Sequence, residues 1–201
     1  MRLNTAITHS QESILSTNKV LKNTYLLLSM TLLFSAMTAG VSMYLNLPPM
    51  GMIVTMVGYF GLLFLTTKFS DRSLGIVFVF ALTGFMGLTL GPIINMYTQA
   101  FSNGNELVMT ALGGTGAIFL GLSGYVLTTR KDFSFMSGFL MVGILVAFLA
   151  GIGAVVFSIP ALSLAVSAMF ILLMSGMILY QTSEIVHGGE TNYILATVSL
   201  Y

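Results

Sequence analysis

Long apolar runs separated by short polar gaps divide this chain into segments of membrane-spanning length. Residues 23–67, 73–105 and 133–183 contain no Lys, Arg, Asp or Glu. One helical pass takes about 20 residues, so the first and third of these intervals each hold two passes folded into a hairpin. The pattern predicts spans near 25–45, 50–67, 74–97, 107–129 and 135–158, and a sixth from 161 that loses its apolar character after Tyr180. The turns fall at Asn46-Leu47-Pro48-Pro49, at Lys68 to Arg72, at Gln99 to Asn105, at Arg130-Lys131-Asp132 and at Pro160. Gly91-Pro92, near the end of the third span, predicts a bend or a thinning of that helix. Ten-residue stretches of alternating polarity are absent, which argues against a β-barrel. The expected fold is therefore all-α: a polytopic transmembrane helical bundle of six complete spans. Residues 191–201 turn apolar again but are too few to cross a bilayer alone, so they either lie at the interface or enter a seventh helix.

Charge orients this bundle. All seven Lys and Arg residues lie in alternate gaps: Arg2, Lys19 and Lys22 before the first span, Lys68 and Arg72 after the second, Arg130 and Lys131 after the fourth. Positive residues are retained on the cytoplasmic side, so the expected topology is that of a multi-pass membrane protein with a cytoplasmic N-terminus. Residues 1–24 then form a polar cytoplasmic tail, amphipathic near Ile14, Leu15, Val20 and Leu21, ahead of a bundle over 25–190. Because that tail is polar, the first span itself is expected to act as the insertion signal.

Composition narrows the chemistry further. Charged residues are 6% of the chain, far too few to solvate a soluble domain of this size. Cysteine is absent, which removes disulfides and thiol catalysis, and a net charge of +1 gives nucleic-acid binding no electrostatic support. No loop exceeds about ten residues, so function is expected within the bundle, on its cytoplasmic face or in the tail. With two His and no Cys, a transition-metal site has few ligands to draw on, and no cofactor is expected.

Small residues recur four apart at Gly87 and Gly91, at Gly113, Ala117 and Gly121, and at Gly143, Ala147 and Gly151. Such rows let helix backbones approach, and each is expected to be a packing seam. Gly121-Leu122-Ser123-Gly124 resembles the Gly-x-Ser-Gly motif of rhomboid intramembrane proteases, with His187 as the conceivable base. Depth opposes that pairing. Ser123 lies seven residues before Arg130, about 10 Å into the membrane at 1.5 Å per residue, whereas His187 follows the apolar part of the sixth span. A general base must reach the hydroxyl within about 3 Å or through one water. The rhomboid second-span His and Asn are missing as well. Aspartyl intramembrane proteolysis lacks an Asp in any span, and His-Glu-x-x-His is absent, so the expectation is a protein without a catalytic residue. Gln181, Glu184 and His187, three apart near the cytoplasmic end of the sixth span, are the candidate gating or ion-pathway residues.

Four segments carry a family resemblance: residues 15–25 (LSTNKVLKNTY), 90–95 (LGPIIN), 125–135 (YVLTTRKDFSF) and 187–194 (HGGETNYI). On them the chain resembles the transmembrane Bax inhibitor motif family, and within it the bacterial YccA-like branch, whose members modulate the membrane-bound AAA+ protease FtsH. The resemblance implies a seven-helix fold whose last span begins at residues 193–201, which makes residues 191–201 the start of a truncated seventh helix. It implies an integral inner-membrane regulator whose partners are FtsH, associated membrane proteins and the lipid bilayer. Met1, Arg2, Leu3, Asn4 and Thr5 are the candidate protease-engagement tail, a polar handle for a protease that pulls chains from the cytoplasmic face. The alternative implied by the family is a calcium or proton leak channel. Relatives that respond to pH or conduct calcium use an acidic pair, one on span six and one on span seven; Gln181 stands at the span-six position here, so such gating would require Glu184 to substitute one turn later.

Overall fold

The computed structural model describes residues 2–201, with side chains from Asn18 onward. Seven α-helices follow in order: α1 Arg2–Tyr44, α2 Met52–Lys68, α3 Ser73–Ala100, α4 Gly104–Thr129, α5 Ser137–Val156, α6 Pro160–Val186 and α7 Tyr193–Leu200, with a 3-10 turn at Ser134–Met136 before α5. Five are long and apolar enough to cross a membrane, the first of them over Asn18–Tyr44. The second expected span is the short one: α2 has 17 residues, about 25 Å of helix against about 30 Å of hydrocarbon. Its last residue, Lys68, lies with its ammonium over the Phe64 and Phe69 rings at 5.8 and 5.9 Å, the posture of a side chain that carries its charge toward water.

The chain up to Gly114, together with Glu190–Tyr201, forms one compact unit; Thr115–Gly189 forms a second. In the first unit, α1 is amphipathic in reverse. Thr24, Leu27, Leu28, Thr31, Ser35, Ala39 and Ser42 are buried at helical spacing, while Leu33, Met37, Val41 and Tyr44 on the other side are exposed. Apart from Leu27 and Leu28, the inward side chains are hydroxyl-bearing or small and the large apolar ones turn outward, the arrangement a helix takes when its solvent is lipid. The sequence pattern places a boundary near Tyr25, but α1 runs through it without a break, with Val20 and Leu21 half-buried one turn before the buried Thr24.

α3 packs along this stripe through Gly84, Gly87 and Gly91, all buried. A Cβ at Gly87 would meet the Ser35 carbonyl and the Thr38 hydroxyl, and one at Gly91 would meet Ser42 and the Ala39 carbonyl. Close approach of α1 and α3 therefore requires glycine here. Pro92 sits inside α3 and has no N–H for the Leu88 carbonyl one turn back. The Ser42 hydroxyl of α1 donates to that carbonyl at 2.9 Å, so the helix continues through the proline with its backbone satisfied from across the seam.

α7 is capped by Asn192, whose side-chain oxygen accepts from the N–H of Ile194 at 2.9 Å and of Leu195 at 3.3 Å. Ile194, Ala196 and Thr197 are buried, and Ile194 joins Leu27 of α1 and Val79 of α3 in the core of the first unit.

In the second unit, α5 and α6 pair through knobs and notches. Leu173 of α6 lies against Gly143, and Leu140 of α5 lies against Gly176. Leu140, Ala147 and Leu173 form the buried centre. The Gly113, Ala117 and Gly121 row departs from expectation: at Gly113 and at Gly121 an added Cβ would meet nothing within 4 Å among the described residues. α4 buries Ser123 and Val126 instead, and Ser123 points about 200° around the helix from Gly121.

Candidate functional site

α6 ends in a Schellman motif. Gly188 adopts φ 77°, its N–H donates to the Ile185 carbonyl at 3.3 Å, and the Gly189 N–H donates to the Glu184 carbonyl at 2.8 Å. This stop decides the fate of the Gln181, Glu184 and His187 triplet. Gln181 and Glu184 are half-buried on the last turns, whereas His187 is the exposed C-cap, with φ −93° and ψ 3°. The Glu184 carboxylate lies against Gly189, where a Cβ would collide with it.

The His187 ring turns to residues that sequence spacing did not select. Its Nδ1 lies 2.9 Å from the Ser183 carbonyl and 3.3 Å from the Ser183 hydroxyl. Its Nε2 lies 3.1 Å from the carbonyl of Arg130, just past the end of α4. Arg130 itself has φ 51°, and its N–H donates to the Val126 carbonyl at 2.7 Å, so a non-glycine residue closes α4 in the left-handed region. Ser183, 1% exposed, is the hub of this junction. Its hydroxyl accepts from the Phe133 N–H at 2.9 Å and lies 3.4 Å from the Lys131 carbonyl. The i, i+4 relation of Ser183 and His187 was the available signal, but a serine beside a histidine on an apolar helix does not announce which loop will fold against it.

Asp132 completes the turn by accepting from the Ser134 N–H at 2.8 Å. That backbone bond, aided by the Ser134 hydroxyl and by the charge of His187, holds the exposed Asp132 carboxyl below its usual range. The Lys131 ammonium lies over the Tyr125 ring at 5.7 Å.

Ser123 is 2% exposed and faces Thr182, hydroxyl to hydroxyl at 3.4 Å. Both nitrogens of His187 are engaged elsewhere, so the structure forms no Ser123–His187 dyad.

The first unit holds a cavity of about 1100 Å³ lined by α1, α3 and the first turns of α4, with Met43, Leu90, Ile93 and Met109 among its walls. Ser35 and Tyr201 stand at its polar edge, their hydroxyls 2.6 Å apart. At the basic-loop end of the same unit, Asn192 donates to the Asp71 carboxylate at 3.0 Å beside a pocket of about 400 Å³. Of the candidate engagement tail, Met1 lies outside the described residues, and so do the side chains of Arg2, Leu3, Asn4 and Thr5.

Comparison with known proteins bears on this arrangement. The family described as "Inhibitor of apoptosis-promoting Bax1" matches residues 17–201. A protein of Escherichia coli K12 named "Modulator of FtsH protease YccA" is 54% identical over 193 residues, 96% of this chain and 87% of that protein. Its counterpart in Escherichia coli O6:H1, at the same identity and coverage, is named "Inner membrane protein YccA". A mouse protein named "Protein lifeguard 4" is 28% identical over 190 residues, 90% of this chain and 77% of its own length.

Proposed function

This chain belongs to the Bax inhibitor family, and from that premise we propose that it is an integral inner-membrane regulator that binds the membrane-bound AAA+ protease FtsH and slows its degradation of other membrane proteins. One observation carries the reading: 54% identity, over 96% of this chain, to a protein named a modulator of that protease. The physical route runs through the N-terminus. α1 begins at Arg2 and continues without a break into the hydroxyl and glycine seam with α3. A protease that grips residues 1–5 pulls directly on that seam, whose backbone contacts resist extraction, and a bound chain that is extracted slowly occupies the protease in place of its other substrates. The cytoplasmic placement of the N-terminus belongs to this proposal, as does the absence of catalysis by the chain itself.

The test is the degradation rate of a defined membrane substrate by purified FtsH in liposomes, with and without this protein. Slower degradation that disappears on deletion of residues 2–15 is the expected result. An unchanged rate, with no binding, removes the protease reading; inhibition that survives the deletion removes the tail from it.

The alternative, a cation leak, has in its favour the partial burial of Gln181 and Glu184 at the basic-loop end of α6. It predicts ion flux in liposomes containing only this protein, altered by Glu184→Gln. Silence throughout pH 5 to 8 rejects it.

A further inference from the structure

His187 faces two carbonyl oxygens at once, that of Ser183 at 2.9 Å and that of Arg130 at 3.1 Å. A neutral imidazole carries one N–H, so it can donate to only one of them; the imidazolium has two. We propose that His187 is a proton-operated clasp: in its charged form it ties the last turn of α6 to the turn that leaves α4, and loss of its proton releases one tie.

The two neutral tautomers fail in different places. With the proton on Nδ1, a lone pair on Nε2 opposes the Arg130 carbonyl and the link to α4 is lost. With the proton on Nε2, the Ser183 hydroxyl can turn its hydrogen to Nδ1, but then the Lys131 carbonyl, 3.4 Å from the same hydroxyl, loses its donor. Either way the junction is one hydrogen bond poorer. The turn it holds is not self-supporting, because Arg130 occupies the left-handed region at a cost of about 1 kcal/mol.

The charged groups around the ring act in both directions. On the α4–α5 connection, Asp132 favours the imidazolium, whereas Arg130 and Lys131 oppose it, the latter held over Tyr125. On its own helix, Glu184 turns its carboxylate toward Gly189, and the C-terminal end of α6 adds the partial negative charge of its terminal carbonyls. His187 is exposed, so protons reach it from solvent. Gain of the second ring proton therefore tightens the 130–136 segment. The inference stands on the junction's geometry and is independent of the protease reading.

The test uses the full chain in lipid nanodiscs. Nitrogen-15 spectra of the two histidines, His9 and His187, report ring protonation. Amide exchange at Phe133, corrected for intrinsic chemistry, reports the junction. The expected result is a doubly protonated His187 at pH 5.5 and a Phe133 amide about tenfold better protected there than at pH 7.8, the effect of one ordinary hydrogen bond. The midpoint of that change should coincide with the ring titration, and His9→Gln should leave it in place. His187→Gln, whose amide can donate but cannot titrate, should flatten the profile. A neutral His187 at pH 5.5, equal corrected protection at both pH values, or separate midpoints overturn the proposal; the wild-type measurements decide it even if His187→Gln fails to fold.

Discussion

The α1–α3 seam and the α5–α6 pair both use glycine to bring helices together, but they seat different atoms against it. At Gly87 and Gly91 the neighbours are main-chain carbonyls and short hydroxyl side chains; at Gly143 and Gly176 they are the terminal methyls of Leu173 and Leu140. Leucine methyls can swing aside by a rotamer change, whereas a helix carbonyl moves only with its helix. The first seam is accordingly rigid and intolerant, the second compliant, although both rows read as the same motif.

That contrast can be broken most forcefully at Gly87. Gly87→Ala should destabilise the protein by about 3 kcal/mol, the upper end of overpacking costs, while Gly143→Ala should cost less than about 1 kcal/mol. Reversible unfolding in mixed micelles measures both; equal losses would erase the distinction.

A smaller effect probes the proline. Ser42→Ala leaves the Leu88 carbonyl without its cross-helix donor, at about 1–2 kcal/mol. Pro92→Ala restores an N–H one turn away, so the double variant should lose less than the sum of the singles by about 0.5–1 kcal/mol. Strict additivity would show that Ser42 does not act through the proline gap.

The smallest expected effect concerns the loop of the second unit. Asp132 is held below its usual carboxyl range by the Ser134 N–H, so its contribution is present above that range and lost as pH falls through the folded value. Exchange at Ser134 should quicken in strong acid, opposite in sign to the His187 effect at milder pH. Asp132→Asn should remove the acid limb alone; loss of both limbs would merge the two groups into one titration.

How much of this was legible beforehand differs by feature. The helices, their order and their ends near Asn46, Arg130 and Pro160 follow from where apolar runs stop, since a lipid-facing helix cannot continue through uncompensated charge or a turn proline. The Gly87 and Gly143 rows were visible as seams. Their unlike partners were not, nor was the exposure of the Gly113 row, because spacing along one helix says nothing about which face a neighbour will cover. The candidate triplet illustrates the same limit. Gln181, Glu184 and His187 share a spacing, yet the Schellman stop at Gly188 ends the helix before His187, and the ring goes to Arg130, 57 residues away in the chain.

The sequence by itself determined the solvent of this protein, its helical class and its family, because membrane insertion depends on local hydrophobicity and charge, and family on residue identity. Tertiary structure alone decided that Ser42 repairs the backbone at Pro92, that Ser123 faces Thr182, and that His187 meets two carbonyls. The Ser42 and Ser123 hydrogen bonds form on buried helix faces that offer no water as an alternative, so packing sets their partners by which polar group it leaves within reach, whereas His187 is exposed and its partners are set by where the Gly188 stop ends α6.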